Sequence, residues 1–126
     1  MSSNEEIPPW LREQLARFEQ LQQNLQAILL QKQQVEVESG EIGKALEELK
    51  KATETDAVYK SAGNILVRAK KEDLVKDLDE RKELSGTRIA VLTKQEQRVR
   101  ESIKELQLKL EDAIKGRSGA PPKANT

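Results

Sequence analysis

Two stretches of this chain carry apolar side chains at alternating steps of three and four residues, and that spacing limits the possible folds more than any other feature. The first ladder runs Leu11, Gln14, Phe18, Leu21, Leu25, Ile28, Lys32, Val35, Ser39, Ile42, Leu46, Leu49, with nine of its twelve positions apolar. The second runs Val75, Leu78, Lys82, Ser85, Ile89, Leu92, Glu96, Val99, Ile103, Leu106, Leu110, Ala113, again with nine of twelve apolar. A mean step of about 3.5 is the coiled-coil repeat, so the spacing predicts two long helices, from Pro9 to about Ala52 and from about Lys71 to Lys115. Each is roughly 65 Å long at about 1.5 Å per residue.

The helix ends agree with this reading. Pro8-Pro9 presets the first-turn dihedral, Glu13 follows near the positive end, and Lys50-Lys51 complement the negative one. In the second helix Glu72 and Asp73 fall in the first turn, and Gly116 after Lys115 suits a left-handed cap. Between the helices, the runs 57–62 and 65–69 flank Gly63-Asn64, a dipeptide that favours a tight hairpin turn. A hairpin over about 57–69 puts Val58, Lys60, Ala62, Ile65, Val67 and Ala69 on one face and Tyr59, Ser61, Leu66 and Arg68 on the other.

Folding the chain back at Ala62 pairs positions whose numbers sum to 124. The ladders then meet layer by layer, Leu46 with Leu78, Val35 with Ile89 and Phe18 with Leu106. Their defects also fall together: Ser39 meets Ser85, and Lys32 lies in a layer next to Glu96. The expected fold is mainly α, an antiparallel coiled coil closed by a β-hairpin. A lone hairpin is marginal in water and leaves both edges unpaired, so hairpins from several chains should join into a sheet or barrel hub. The plainer reading is a hairpin that only closes a helical arm.

Composition removes most other classes. The 126 residues include 22 Lys+Arg and 22 Asp+Glu, which cancel and leave no net field to draw in nucleic acid or an anionic membrane. With no Cys and no His, the usual metal ligands and nucleophile–base pairs are missing; no enzyme, metal or cofactor is expected. The longest apolar runs, Ala27–Leu30 and Ile89–Leu92, are too short to span a bilayer, and the polar start does not read as a signal peptide, so a soluble, cytoplasmic protein is expected. Gly40-Glu41-Ile42-Gly43-Lys44 imitates a phosphate loop but lacks its spacing, its Ser/Thr and its strand-to-helix setting. Adjacent acids such as Glu47-Glu48 diverge on a helix surface and read as a solvated face.

Off the ladder near the chain ends lie Ile7, Trp10, Leu15, Leu108 and Ile114, which an open coiled-coil end cannot all bury. They read either as a binding surface or, for Ile7 and Trp10, as a staple of the helix start. The glycines Gly40, Gly43 and Gly86 weaken the middle of both helices, where the arm should bend. Residues 1–8 are expected to be a flexible tip, 9–115 the helix–hairpin–helix domain, and 116–126 a disordered basic tail.

The segments Ile7-Pro8-Pro9, Gln14–Phe18, Leu21-Gln22-Gln23, Gln31–Gln34, Lys44–Leu49 and above all Val58–Val67 resemble the β-type subunits of the archaeal prefoldin family, over about residues 7–114. Gly40, Gly43 and Gly86 depart from the helix formers expected there. The resemblance implies an ATP-independent holdase in which four β and two α subunits join hairpins into a double β-barrel. Six coiled coils hang from that hub, capture unfolded client proteins at their tips and pass them to a group II chaperonin. It implies client contact through Ile7, Trp10, Leu11, Leu15, Phe18, Leu106, Leu110 and Ile114, and hub assembly through Val58, Tyr59, Ala62, Ile65, Leu66 and Val67. Chaperonin docking would involve Lys109, Lys115 and Arg117. Two other readings remain: a coiled-coil adaptor recruiting one folded partner, and a nucleic-acid-gripping arm, which the balanced charge of both helices disfavours.

Overall fold

The structure, a computed structural model, describes residues 7–117 without the side chain of Arg117; residues 1–6 and 118–126, which hold most of the expected flexible start and basic tail, lie outside the described residues. The element order is α1 (Pro9–Lys51), β1 (Val58–Ala62), β2 (Ile65–Ala69) and α2 (Lys71–Arg117). The helices contain 43 and 47 residues.

The chain divides into a terminal unit, Met1–Leu29 with Lys94–Thr126, and a hairpin unit, Leu30–Thr93. In the terminal unit α1 opens at Pro9, where the Pro8 carbonyl accepts hydrogen bonds from the amides of Leu11 (3.0 Å) and Arg12 (3.1 Å). No acid lies in its first turn; Glu13 stands one residue beyond. The Arg12 guanidinium instead turns back, donating from Nε (3.3 Å) and Nη2 (3.2 Å) to the Ile7 carbonyl. Leu11, Leu106 and Leu110 form the buried core, with Ile7, Phe18, Leu21 and Ala113 packed around them. Gly116 does not take the expected left-handed cap: α2 continues to Arg117, and Gly63 is the only described residue with positive φ.

In the hairpin unit Val35, Ile42, Leu46 and Leu92 are buried, as is Ser85. Pairings across the helices are antiparallel. Ser85 Oγ donates to Glu38 Oε1 at 3.4 Å, Lys82 Nζ lies 3.7 Å from where a Cβ on Gly43 would stand, and Lys71 Nζ donates to the Ala52 carbonyl at 2.8 Å. Each pair of numbers adds to within one of the expected 124. Two ladder defects are thereby explained: the buried hydroxyl of Ser85 is satisfied by the longer Glu38 rather than by Ser39, and the off-pattern Lys82 faces a glycine that leaves it room. α1 ends on Lys50 and Lys51. A turn follows in which the Asp56 amide donates to the Thr53 carbonyl (3.1 Å) and the Thr53 amide to Asp56 Oδ2 (2.7 Å). α2 begins with Glu72 and Asp73 in its first turn, favourable to the helix dipole.

Candidate functional site

Strands β1 and β2 pair antiparallel in the register Val58↔Ala69, Tyr59↔Arg68, Lys60↔Val67, Ser61↔Leu66, Ala62↔Ile65, so the two faces are those read from the sequence. The turn needs positive φ only at Gly63 (62°), its first central position. That is the II′ arrangement, whose twist suits the flanking strands. A two-stranded sheet leaves one free edge on each strand.

The burial of this hairpin is unusual for such a composition. Ile65 is 63% exposed, Leu66 71%, Val67 45% and Tyr59 54%, and Ala62 is exposed as well. Only Val58 and Ala69, at the base, are half-buried. Below them is an open groove of about 1020 Å³, lined by Thr53, Asp56, Val58, Lys60, Arg68 and Asp77 among others. Lys60 Nζ crosses to Asp77 Oδ2 at 3.9 Å, and the same oxygen takes Arg81 Nη2 at 3.5 Å. All six residues implicated in hub assembly thus lie together on this ribbon, five of them exposed.

The terminal unit carries the second apolar surface, and the structure divides the eight residues implicated in client contact. Leu11, Leu106 and Leu110 are the buried core, and Ile7 and Phe18 pack against it. Trp10, Leu15 and Ile114 are exposed, and so is Leu108, which the ladder leaves off the seam. A small groove of about 280 Å³ beside this core is lined by Gln14, Arg17, Ser102, Glu105, Leu106 and Lys109. Of the residues implicated in chaperonin docking, Lys109 and Lys115 are exposed, and the Arg117 side chain lies outside the described residues.

Three residues of the hairpin unit escape a sequence reading. Leu84 is exposed off the ladder, with no neighbour in sequence to mark it. Lys60 and Lys71 take partners on other elements; only Lys71 leaves a signal, as a cation at the end of a helix that prefers anions. Among the described residues no acidic cluster could hold a metal ion, and no helix is long and apolar enough to cross a membrane.

Two long helices linked by an exposed hairpin place the chain among helix–hairpin–helix coiled-coil proteins, and comparison with known proteins gives the family. A family model described as a prefoldin subunit matches residues 12–117. Prefoldin subunit beta of Archaeoglobus fulgidus is 44% identical over 114 residues, covering 90% of this chain and 98% of the relative. That of Pyrococcus furiosus is 38% identical over 109 residues, covering 86% and 93%. The crystal structure of the prefoldin beta subunit from Thermococcus strain KS-1 matches with a TM-score of 0.81 at 34% identity, covering 91% of this chain and 97% of that one. The chain belongs to the prefoldin subunit family, with archaeal beta subunits among its relatives.

Proposed function

We propose that this chain is the β subunit of an ATP-independent holdase, in which four copies join two α subunits through their hairpins. The observation that carries this reading is the hairpin, whose apolar residues Ile65, Leu66 and Val67 are exposed although both edges offer unpaired backbone groups. Sheet formation with neighbouring hairpins covers the apolar face and pairs the edges in one step. Residues 9–115 would form the assembling domain, with residues 1–8 and 116–126 as its extensions.

Client capture falls to Trp10, Leu15, Leu108 and Ile114, which are already exposed on a packed base. Burial of apolar surface gains roughly 25 cal/mol per Å², so a few hundred Å² on one coiled-coil end binds weakly. Several ends held by one hub convert weak contacts into retention through effective concentration. Release then needs no nucleotide, because each contact yields to a competitor, which we take to be a group II chaperonin docking near Lys109 and Lys115. The working compartment would be the cytoplasm.

The test is co-expression with the α subunit, followed by native mass measurement and an aggregation assay on a denatured client without ATP. A hexamer that delays aggregation is expected. A monodisperse monomer without effect on aggregation would refute the proposal.

A further inference from the structure

We infer that Lys71 is the positioning residue that fixes the angle of the hairpin on the helix ends, and so aims its free edges for assembly. The inference deepens the hub reading above and rests on it. The hairpin joins α2 through Lys70 alone and α1 through residues 52–57. Apolar packing cannot set its angle, because only Val58 and Ala69 are half-buried and an open groove of about 1020 Å³ lies beneath. Polar ties therefore decide.

Among the described residues one such tie joins a strand to a helix, and a second joins the helix ends beneath the hairpin. Lys60–Asp77 spans 3.9 Å between exposed groups, and Arg81 shares the same carboxylate oxygen; pairs of this kind contribute little. Lys71 differs in each respect. It is half-buried and donates a 2.8 Å charge-assisted bond to the Ala52 carbonyl, 19 residues away in sequence. As the first residue of α2 its charge opposes the dipole of its own helix, yet it stands where α1 presents its terminal carbonyls and a cation is favoured. Lys71 thus makes better sense as the clamp of α1 than as part of α2. It closes the two helix ends on each other directly below the hairpin. Without it the ends can separate, the hairpin swings, and a closed ring of hairpins requires every copy to regain the same angle.

The experiment compares the wild-type chain with Lys71→Met and Lys71→Arg, each co-expressed with the α subunit. Native mass is followed over a dilution series, with helix content measured in parallel. Lys71→Met should raise the chain concentration for half-assembly about tenfold or more at unchanged helicity. Lys71→Arg should restore most of the loss, because a guanidinium also donates to a carbonyl. Equal midpoints for all three chains would overturn the inference, as would equal loss in Met and Arg variants. Should Lys71→Met lose helix content, Lys71→Gln replaces it and is judged by the same midpoint. A wild-type chain that never assembles instead overturns the hub reading, so the two failures are distinguishable.

Discussion

The terminal unit and the β-hairpin itself both display apolar side chains, but only the first displays them on a packed core of its own. At the termini, Leu11, Leu106 and Leu110 are buried between the helices, and Trp10, Leu108 and Ile114 project from that packed support. At the hairpin Ile65, Leu66 and Val67 are exposed, and within the two strands only Val58 and Ala69 are half-buried. A surface with its own core can be exposed, covered and exposed again without loss of structure, which suits transient contact. A ribbon without a core is marginal until something pairs with it, which suits permanent association.

The sharpest way to break that contrast is to charge the ribbon. Ile65→Asp with Val67→Asp places two carboxylates on the face that must be covered, and burying them unpaired is prohibitive. Assembly should be abolished while helix content is retained, since both residues are exposed in the single chain and neither lies in a helix. Gel filtration with circular dichroism checks both; unchanged assembly rules out the hub. The matching change in the terminal unit is Leu110→Ala, which removes one of three buried leucines. Burial of this order costs about 2–3 kcal/mol on truncation. The melting temperature should fall while the oligomer survives; loss of the oligomer would show that the two units are not separate in function.

Much of this was legible in the periodicity. The twelve-position ladders place Leu11, Phe18, Leu106 and Leu110 on the seam, and the structure packs them there. The hairpin faces follow from period-two alternation about Gly63-Asn64, and the register bears them out. What escaped was chemistry joining residues distant in sequence. Ser85 finds Glu38 rather than Ser39, and Lys71 finds a backbone carbonyl, because side-chain reach and not heptad phase decides such pairs. The cap at Gly116 failed because glycine permits a left-handed residue without requiring one, and α2 continues through it to Arg117.

A smaller effect separates contact from support within the terminal unit. Trp10 is 53% exposed, so Trp10→Ala should shift stability by no more than about 0.5 kcal/mol. Client retention should nevertheless weaken severalfold, because several ends each lose an aromatic contact. The ratio of aggregation rates with and without the variant gives the answer. A drop in melting temperature comparable to that of Leu110→Ala would mean that Trp10 staples the helix start.

The last contrast concerns stability alone and lies in the glycines of the hairpin unit, which look alike in sequence and differ in the fold. Gly40 and Gly86 lie within α1 and α2, both are exposed, and an added Cβ would meet nothing within 4 Å at either position. Gly40→Ala and Gly86→Ala should each stabilise the helices by up to about 1 kcal/mol, the entropy that a mid-helix glycine forfeits. Gly63 has equally open space around it but a φ of 62°. Gly63→Ala should therefore carry the opposite sign, about 1–2 kcal/mol destabilising, because strain in the left-handed region does not depend on room for the methyl group. Chemical denaturation of the three variants separates the two causes. If Gly40→Ala and Gly86→Ala lower stability while leaving helix content unchanged, those glycines have a role in the helices that propensity and open space do not describe, and the division between a rigid support and a ribbon hinged at its turn needs redrawing.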